Sequence, residues 1–342
     1  MDDPRPTSPP DGAPWTALSA GPDSGVPGRT RPRFEELPPG PPTWPAWTAI
    51  VLGIVGLMPG LLVLSEAMAG HAATNTAGSG IAALAGSLLI VGGLVWLALA
   101  GIVRRRMLGP DRYRGPSIIG LLMLVLIGGN LASLPILLFL LGGDADRLTD
   151  PLVATVELLL TPLSFLVIYG LFVALPRALP GMVVWSGLAS VRRLLLGIGL
   201  GAGAWIGMGI LSELVNLVVT AVTGQPLGGE QAVAGLATEV PFAVAIVAIA
   251  VLAPFAEELF FRGAVLNAWE REYGTNRAIV GSSALFAVVH VVGGTALAVA
   301  QVFLLGLILA WAYVRTRSLA TTIGLHGAFN LASVLALFLL PR

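Results

Sequence analysis

Hydrophobic residues fall in nine long runs along the chain, nearly free of charged residues. The runs cover Trp47–Met68, Ile81–Val103, Ile118–Leu141, Leu152–Leu175, Leu194–Val222, Phe242–Phe261, Ala278–Val292, Ala296–Val314 and Leu319–Leu340. About 20 helical residues, rising about 1.5 Å each, cross the roughly 30 Å hydrocarbon layer of a bilayer. The pattern therefore predicts an all-α fold, a polytopic transmembrane helix bundle. Because the seventh run is short and only Gly293 and Gly294 separate it from the eighth, we expect eight or nine spans.

The composition is typical of an integral membrane protein. Hydrophobic residues make up 56% of the chain and charged residues 11%, whereas soluble domains carry about 25% charged residues. The alternating pattern of a transmembrane β-barrel is absent. The chain has no cysteine, which excludes disulfides, thiolate metal ligands and cysteine nucleophiles. We expect the bilayer as a partner and no nucleic acid.

The first 44 residues differ from the rest of the chain. They are rich in Pro, Gly, Ser and Asp and poor in apolar residues, so they cannot bury a core and are expected to form a disordered tail. No charged segment followed by a short apolar stretch indicates a signal peptide. We divide the chain into this tail at 1–44, N-terminal transmembrane helices at 45–150, and a region at 151–342 that carries the motifs described below.

The distribution of arginine predicts how the spans are oriented. With a cytoplasmic N-terminus, the arginine-rich loops at 104–114, 177–193, 262–277 and 315–317 all lie on the cytoplasmic side. The opposite side holds Arg147 and Arg342, together with Asp144, Asp146 and Asp150. We therefore expect a multi-pass protein of the cell (inner) membrane. Arginine is the only basic side chain apart from histidine, and with the abundance of Ala, Gly and Pro this indicates a GC-rich bacterial genome.

Two adjacent glutamates interrupt the sixth apolar run. Glu258 and Arg262 are four residues apart, so they share one helical face and are predicted to form an ion pair. Glu257 is rotated by about 100° from Glu258 on a helix of 3.6 residues per turn. It has no partner on its own helix, and we expect another helix to supply one.

The next runs carry further polar residues at helical spacing. Phe286 and His290 are four residues apart, as are His326 and Asn330. Glu257 and the two histidines are expected roughly 8 to 18 Å from the cytoplasmic boundary, in one cytoplasm-facing pocket. Each residue alone also fits a structural role, such as a core histidine or a hydrogen bond between helices. Their coincidence favours a functional site, because polar groups within spans are costly.

These polar residues belong to three motifs that follow one another along the chain and resemble those of a known family. They are "EELFFR" at 257–262, "FAVVH" at 286–290 and "HGAFN" at 326–330, which match the pattern EExxxR, FxxxH and HxxxN/D. The chain resembles the CPBP family of intramembrane glutamic proteases, also called the Abi family. That family includes CAAX prenyl proteases and bacteriocin-processing or self-immunity proteins. The resemblance covers roughly residues 150–340.

The resemblance implies an endopeptidase that cuts a membrane-associated protein or peptide without a cofactor. It implies catalytic roles for Glu257, His290, His326 and Asn330, and structural support from Glu258, Arg262 and Phe286. Glu257 would activate a water that His290 helps to hold, and His326 and Asn330 would donate hydrogen bonds to the oxyanion. Pro254 lacks a backbone donor and is expected to bend the helix so that Glu257 is exposed.

Other functions remain open from the residues alone. Glu257, His290 and His326 could hold zinc in a metalloprotease, although no HExxH motif is present. No buried serine lies in a nucleophile motif, which disfavours a serine protease. A non-catalytic membrane scaffold or immunity protein could use the same fold. A proton-coupled transporter could use buried Glu and His, but we find no two-half internal repeat.

Overall fold

The computed structural model describes residue 37 and residues 39–68, 76–108, 112–131, 151–179, 186–225, 240–291 and 296–339. Within these ranges the chain forms helices and no strand. They are α1 (Trp44–Met68), α2 (Thr76–Arg105), α3 (Ile118–Gly129), α4 (Pro151–Ala174), α5 (Leu188–Thr223), α6 (Phe242–Tyr273), α7 (Thr275–Val288), α8 (Ala296–Thr316) and α9 (Leu319–Leu339). The prediction of an all-α transmembrane bundle is confirmed. The predicted tail lies almost entirely outside the described residues.

Seven of the described helices are long and apolar enough to cross a membrane, namely α1, α2, α4, α5, α6, α8 and α9. The third predicted run begins with α3, and its remainder at 132–141 lies outside the described residues. The seventh run gives α7, which has 14 residues and is roughly 21 Å long at about 1.5 Å per residue. That length is less than the hydrocarbon thickness, so α7 alone is too short to span.

The helices group around α6. Helix α6 contacts α4, α7, α8 and α9, whereas α1 packs along α2, which joins the bundle through α3 and α4. Helix α5 packs mainly along α9. Residues 259–266 of α6 are all buried. The helix that carries the adjacent glutamates therefore forms the centre of the bundle.

Helices α5 and α9 approach each other closely at glycines. A β-carbon on Gly197 would overlap the carbonyl oxygen of Thr321, and one on Gly201 would overlap that of Leu325. On α9, Gly324 makes the reciprocal approach to the backbone of α5. Small residues allow such backbone contact within membranes. Because α9 also carries His326, this contact helps to set the position of that side chain.

We expect Gly201→Ala to destabilise the bundle by about 1–3 kcal/mol, because the added methyl group meets backbone that cannot move aside. Gly203→Ala is the matched control, since a β-carbon there meets no described atom within 4 Å. Thermal unfolding in detergent would measure both variants. Equal melting temperatures for the two would contradict the close contact between α5 and α9.

Candidate active site

The four residues predicted to be catalytic line one cavity of about 400 Å³ between α4, α6, α8 and α9 and the end of α7. Most of the remaining wall is apolar. It is formed by Leu158, Thr161, Pro162, Phe165, Ala248, Ile249, Ala253, Phe286, Val302, Leu305 and Phe329. Glu257, His290, His326 and Asn330 thus share one cavity whose remaining wall is apolar except for Thr161, and the sequence predicts one shared pocket for them.

The cavity extends toward the end of the bundle where α6 begins. The other α6 residues of its wall precede Glu257, and the other α9 residues follow His326. On the opposite side of Glu257, Phe260 and Phe261 are fully buried. With the orientation that the arginines predict, the described cavity extends away from the cytoplasm. This differs from the cytoplasm-facing pocket that we expected from the depth of the polar residues alone.

Glu258 and Arg262 form the ion pair predicted from their spacing. Nη1 of Arg262 donates to Oε1 of Glu258 at 2.8 Å, and both side chains are 0% exposed. Nη2 of Arg262 donates to the carbonyl oxygen of Gly306 on α8 at 3.1 Å. Charges in a membrane interior are tolerated when they are paired and hydrogen-bonded. The ion pair is therefore linked to α8 through the hydrogen bond from Arg262 to Gly306.

His326 lies between the two glutamates. Its Nδ1 is 3.0 Å from Oε1 of Glu258, and its Nε2 is 3.9 Å from Oε2 of Glu257. The imidazole is almost completely buried. Sequence reasoning missed the contact with Glu258, because these residues are 68 positions apart and no local spacing indicates it. Glu258 thus contacts a residue of the cavity wall as well as Arg262.

His290 follows the end of α7 and faces Glu257 from another direction. Its Nδ1 is 2.7 Å from the carbonyl oxygen of Phe286. Because a carbonyl only accepts, Nδ1 must be the donor, and Nε2 remains for the cavity. Nε2 lies 4.0 Å from Oε2 of Glu257. Both imidazoles therefore present Nε2 to the same carboxylate oxygen.

Oε2 of Glu257 is buried and has no hydrogen-bond partner among the described residues. The side chain as a whole is 17% exposed. Its separations from the two Nε2 atoms are too long for direct hydrogen bonds and match a bridge through one small polar molecule. Glu257 has no ion-pair partner on its own helix within the described part of the chain, as its spacing predicts.

Asn330 of α9 lines the cavity. Its hydrogen-bond partner is a backbone carbonyl in an irregular part of α6. Residues 246–252 of α6 are π-helical, and the N–H of Ala253 bonds the carbonyl of Ala248, five residues back. In the same register the carbonyl of Ile249 would face Pro254, which has no N–H. Nδ2 of Asn330 donates to that carbonyl at 2.9 Å. The π-helical turns thus accommodate Pro254. The carbonyl of Ile249, which Pro254 leaves without a backbone donor, accepts instead from Asn330 of α9.

Phe286 packs against the charged and polar rings of the site. Its ring centroid lies 4.7 Å from that of His290 and 5.6 Å from that of His326. The guanidinium carbon of Arg262 lies 4.7 Å from the same ring. Such contacts provide both packing and cation–π attraction. Phe286 therefore holds both imidazoles and the guanidinium in place.

Close packing of α9 against α6 explains why the third motif has a glycine at position 327. A β-carbon on Gly327 would lie 2.9 Å from the carbonyl oxygen of Ala250. Contacts that close are almost never seen, so α9 can approach α6 here only without a side chain. The approach brings the neighbouring His326 toward Glu258.

The described residues do not form a ready metal centre. No group of three or more His, Cys, Asp or Glu side chains in this part of the chain is arranged to hold a metal ion. The two Nε2 atoms lie 3.9 and 4.0 Å from Oε2 of Glu257, whereas ligands about 2.0–2.1 Å from zinc at tetrahedral corners are about 3.3 Å apart. To share one zinc ion, these three ligand atoms would therefore have to move closer together.

Comparison with known proteins finds one family that is similar to the segment carrying the site. Residues 239–332 match the family described as "Type II CAAX prenyl endopeptidase Rce1-like". The matched segment contains α6, α7, α8 and most of α9, with all three motifs. No curated protein and no solved structure matches the chain. The match confirms the resemblance to the CPBP family. The chain is a multi-pass membrane protein, and the family that its segment matches is a protease family.

Proposed function

We propose that the chain is an intramembrane endopeptidase that hydrolyses a peptide bond of a membrane-associated protein or peptide. The observation that carries the proposal is the unpartnered Oε2 of Glu257, which faces Nε2 of both His290 and His326 at about 4 Å. A carboxylate with no competing donor is available to accept a proton from water. A water between Glu257 and His290 would lie within hydrogen-bond reach of both.

In this mechanism Glu257 takes a proton from the water as the water oxygen bonds to the carbonyl carbon of the substrate. The carbonyl electron pair moves to its oxygen and forms an oxyanion. Asn330 has two N–H groups and commits one to Ile249, so the second is available to the oxyanion. In this proposal His326 donates a second hydrogen bond, from Nε2, to the same oxyanion. A side-chain donor of this kind contributes about 3–4 kcal/mol in hydrolases. Glu257 then gives its proton to the amine as the carbon–nitrogen bond breaks.

The apolar walls support a hydrophobic substrate segment. Leu158, Pro162 and Phe165 of α4 and Val302 and Leu305 of α8 line the same cavity as the polar residues. Apolar walls with a few placed polar groups bind apolar groups and orient one reacting bond. The proposed substrate is therefore a membrane-associated segment rather than a charged soluble peptide.

Cleavage profiling tests the proposed function. The purified chain in nanodiscs would be incubated with a library of membrane peptides beside Glu257→Ala and Glu213→Ala. Glu213 is exposed on α5, outside the cavity, so its variant controls for loss of a carboxylate. We expect cuts by the parent chain and by Glu213→Ala, and none by Glu257→Ala. Binding of peptides without any cut would favour the scaffold alternative.

Treatment with chelators distinguishes a water activated by Glu257 alone from a metal-dependent reaction. We expect chelators that remove zinc to leave most of the activity, because the three candidate ligands come from separate elements and Nε2 of each histidine lies about 4 Å from Oε2 of Glu257. Metal content and cleavage rate would be measured on the same samples. Stoichiometric zinc that is lost and restored in parallel with activity would instead support the zinc metalloprotease.

The proposed orientation has a cytoplasmic N-terminus in the inner membrane, with residues 104–116 cytoplasmic and 142–151 external. Because the chain has no cysteine, single substitutions give clean labels. We expect Arg106→Cys to react with an impermeant thiol reagent only from the cytoplasmic side, and Asp146→Cys only from the outer side. Labelling of position 146 from the cytoplasm alone would overturn the topology.

A further inference from the structure

A second cavity lies between α3 and α4, next to the candidate active site. Its volume is about 170 Å³, and at about 30 Å³ per molecule of liquid water it has room for several waters. Four of its nine lining residues carry polar side chains, namely Asn130, Glu157, Thr161 and Ser164. Cavities that are both roomy and polar hold water, whereas empty cavities are apolar. The residues of this α3–α4 cavity therefore favour water as its occupant.

The carboxylate of Glu157 also requires water. Glu157 belongs to α4, which is apolar and long enough to span the membrane, and its side chain is exposed. No salt bridge to Glu157 occurs among the described residues. A carboxylate within a span is costly unless it is paired or faces water. Within the described part of the chain, water in the α3–α4 cavity is the partner that remains for this side chain.

The α3–α4 cavity and the catalytic cavity share a wall. Thr161 and Phe165 line both of them. Phe165 is buried, and its ring centroid lies 5.2 Å from that of Phe260 and 6.3 Å from that of Phe261, so packing holds it in place. Thr161 is small and exposed, and its Oγ1 lies 3.5 Å from the carbonyl oxygen of Glu157, which is long for a hydrogen bond. Rotation of Thr161 is therefore the smallest change that connects the two cavities.

We propose that the α3–α4 cavity binds water and supplies it to Glu257 past Thr161. The part that concerns hydrolysis rests on the proposed function. Besides Glu257, His290, His326 and Asn330, Thr161 is the only polar residue on the described wall of the catalytic cavity. A hydroxyl both donates and accepts hydrogen bonds, so it can pass a water from one cavity to the other. The rest of the wall is apolar and offers a water no such contact.

The backbone next to Thr161 adds a second polar group on this wall. Pro162 follows Thr161 and has no N–H, so the carbonyl of Leu158, four residues earlier, lacks its usual helical donor. Leu158 and Pro162 both line the catalytic cavity. The turn of α4 that separates the two cavities therefore combines a hydroxyl with a carbonyl oxygen that can accept from water.

The packing of α4 against α6 indicates the end of the bundle from which this water comes. Leu158 packs in one cluster with Ile249, whereas Phe165 packs against Phe260 and Phe261. Helices α4 and α6 therefore begin at the same end of the bundle. Glu157 lies about 9 Å from the start of α4, at about 1.5 Å per residue. The α3–α4 cavity thus places water on the side toward which the catalytic cavity extends.

Thiol labelling in nanodiscs tests whether the α3–α4 cavity is hydrated. Because the chain has no cysteine, single variants report one position each. We expect Ser164→Cys, and Asn130→Cys on the same cavity, to react with a membrane-impermeant cationic thiosulfonate. Leu163→Cys is the matched control: Leu163 adjoins Ser164 and is 43% exposed, but it lines neither cavity, so lipid should protect it.

Failure of both cavity variants to react, or equal reaction of Leu163→Cys, would overturn the hydrated cavity. This readout needs no substrate. If the parent chain cuts no peptide, the proposed function fails, whereas labelling still decides whether the cavity holds water.

Reversible blocking of the α3–α4 cavity tests the route to Glu257. Ser164 does not line the catalytic cavity, so a group attached to Ser164→Cys obstructs water without occupying the substrate site. We expect kcat to fall about 10-fold, which corresponds to about 1.4 kcal/mol in the barrier, with KM little changed. Removal of the group by a reductant should restore the rate. An unchanged kcat in fully modified protein would overturn the route.

Thr161→Val tests the shared wall, because valine keeps the shape of threonine and lacks the hydroxyl. We expect kcat to fall several-fold. Thr48→Val is the matched control: Thr48 is exposed on α1, and its hydroxyl bonds the carbonyl four residues back, as that of Thr161 does. Equal rates for Thr161→Val and Thr48→Val would contradict passage of water at Thr161.

Discussion

Glu257→Gln is expected to abolish cleavage while the folded yield stays at the level of the parent chain. Glutamine matches glutamate in shape but cannot accept the proton of the attacking water. Loss of a general base reduces rates by about 10²–10⁴-fold. Folding should not suffer, because Oε2 of Glu257 makes no hydrogen bond within the described part of the chain. Cleavage rate and the yield of monodisperse protein in detergent would be measured together.

The control for Glu257→Gln is Glu213→Gln, which removes an exposed carboxylate of α5. Both variants should fold, and only Glu257→Gln should lose cleavage. Cleavage by Glu257→Gln at the parent rate would assign the base to another residue. A fall in its yield would mean instead that the carboxylate of Glu257 stabilises the fold.

Arg262→Met is expected to have the largest effect on stability. It leaves Glu258 as a fully buried carboxylate without its guanidinium, and it removes the hydrogen bond to Gly306 and the contact with Phe286. Removal of one partner of a buried ion pair costs about 3–5 kcal/mol. Because Glu258 depends on the same pair, Glu258→Gln should also lower the yield. The yield and the melting temperature in detergent would measure both losses.

Arg317→Met is the matched control for Arg262→Met. Arg317 makes a two-bond pair with Glu270, but its side chain is 33% exposed, and pairs that water reaches contribute about 1 kcal/mol or less. The double variant Glu258→Met/Arg262→Met should recover part of the stability, because it leaves no uncompensated charge of this pair. Equal losses for Arg262→Met and Arg317→Met would contradict the role of burial.

The sequence predicts those features that depend on one helix at a time. The apolar runs locate the spanning helices, and the spacing of Glu258 and Arg262 predicts their ion pair. The spacing also separates Glu257 from that pair. Both results follow from helical periodicity, which is a local property of the chain.

Features that depend on two helices could not be predicted in this way. The contact between Glu258 and His326 requires the rotation of α9 against α6, which the glycines of α5 and α9 help to set. The bond from Asn330 to Ile249 requires the π-helical register before Pro254. Proline signals a lost donor, but the sequence does not show which carbonyl is left or which side chain takes it. The predicted bend therefore gave no indication of this bond.

The size of the cavity has a consequence for the conformation of a substrate. One turn of a helix about 10–12 Å wide and 5.4 Å long occupies roughly 400–600 Å³, whereas the cavity measures about 400 Å³. The cavity therefore holds at most about one helical turn, and under the proposed function we expect the cleaved residues to be extended rather than part of a longer intact helix. Selection would then follow how easily a segment unwinds. Chain ends, and segments weakened by glycine or proline, would be cut faster than a stable helix of the same hydrophobicity.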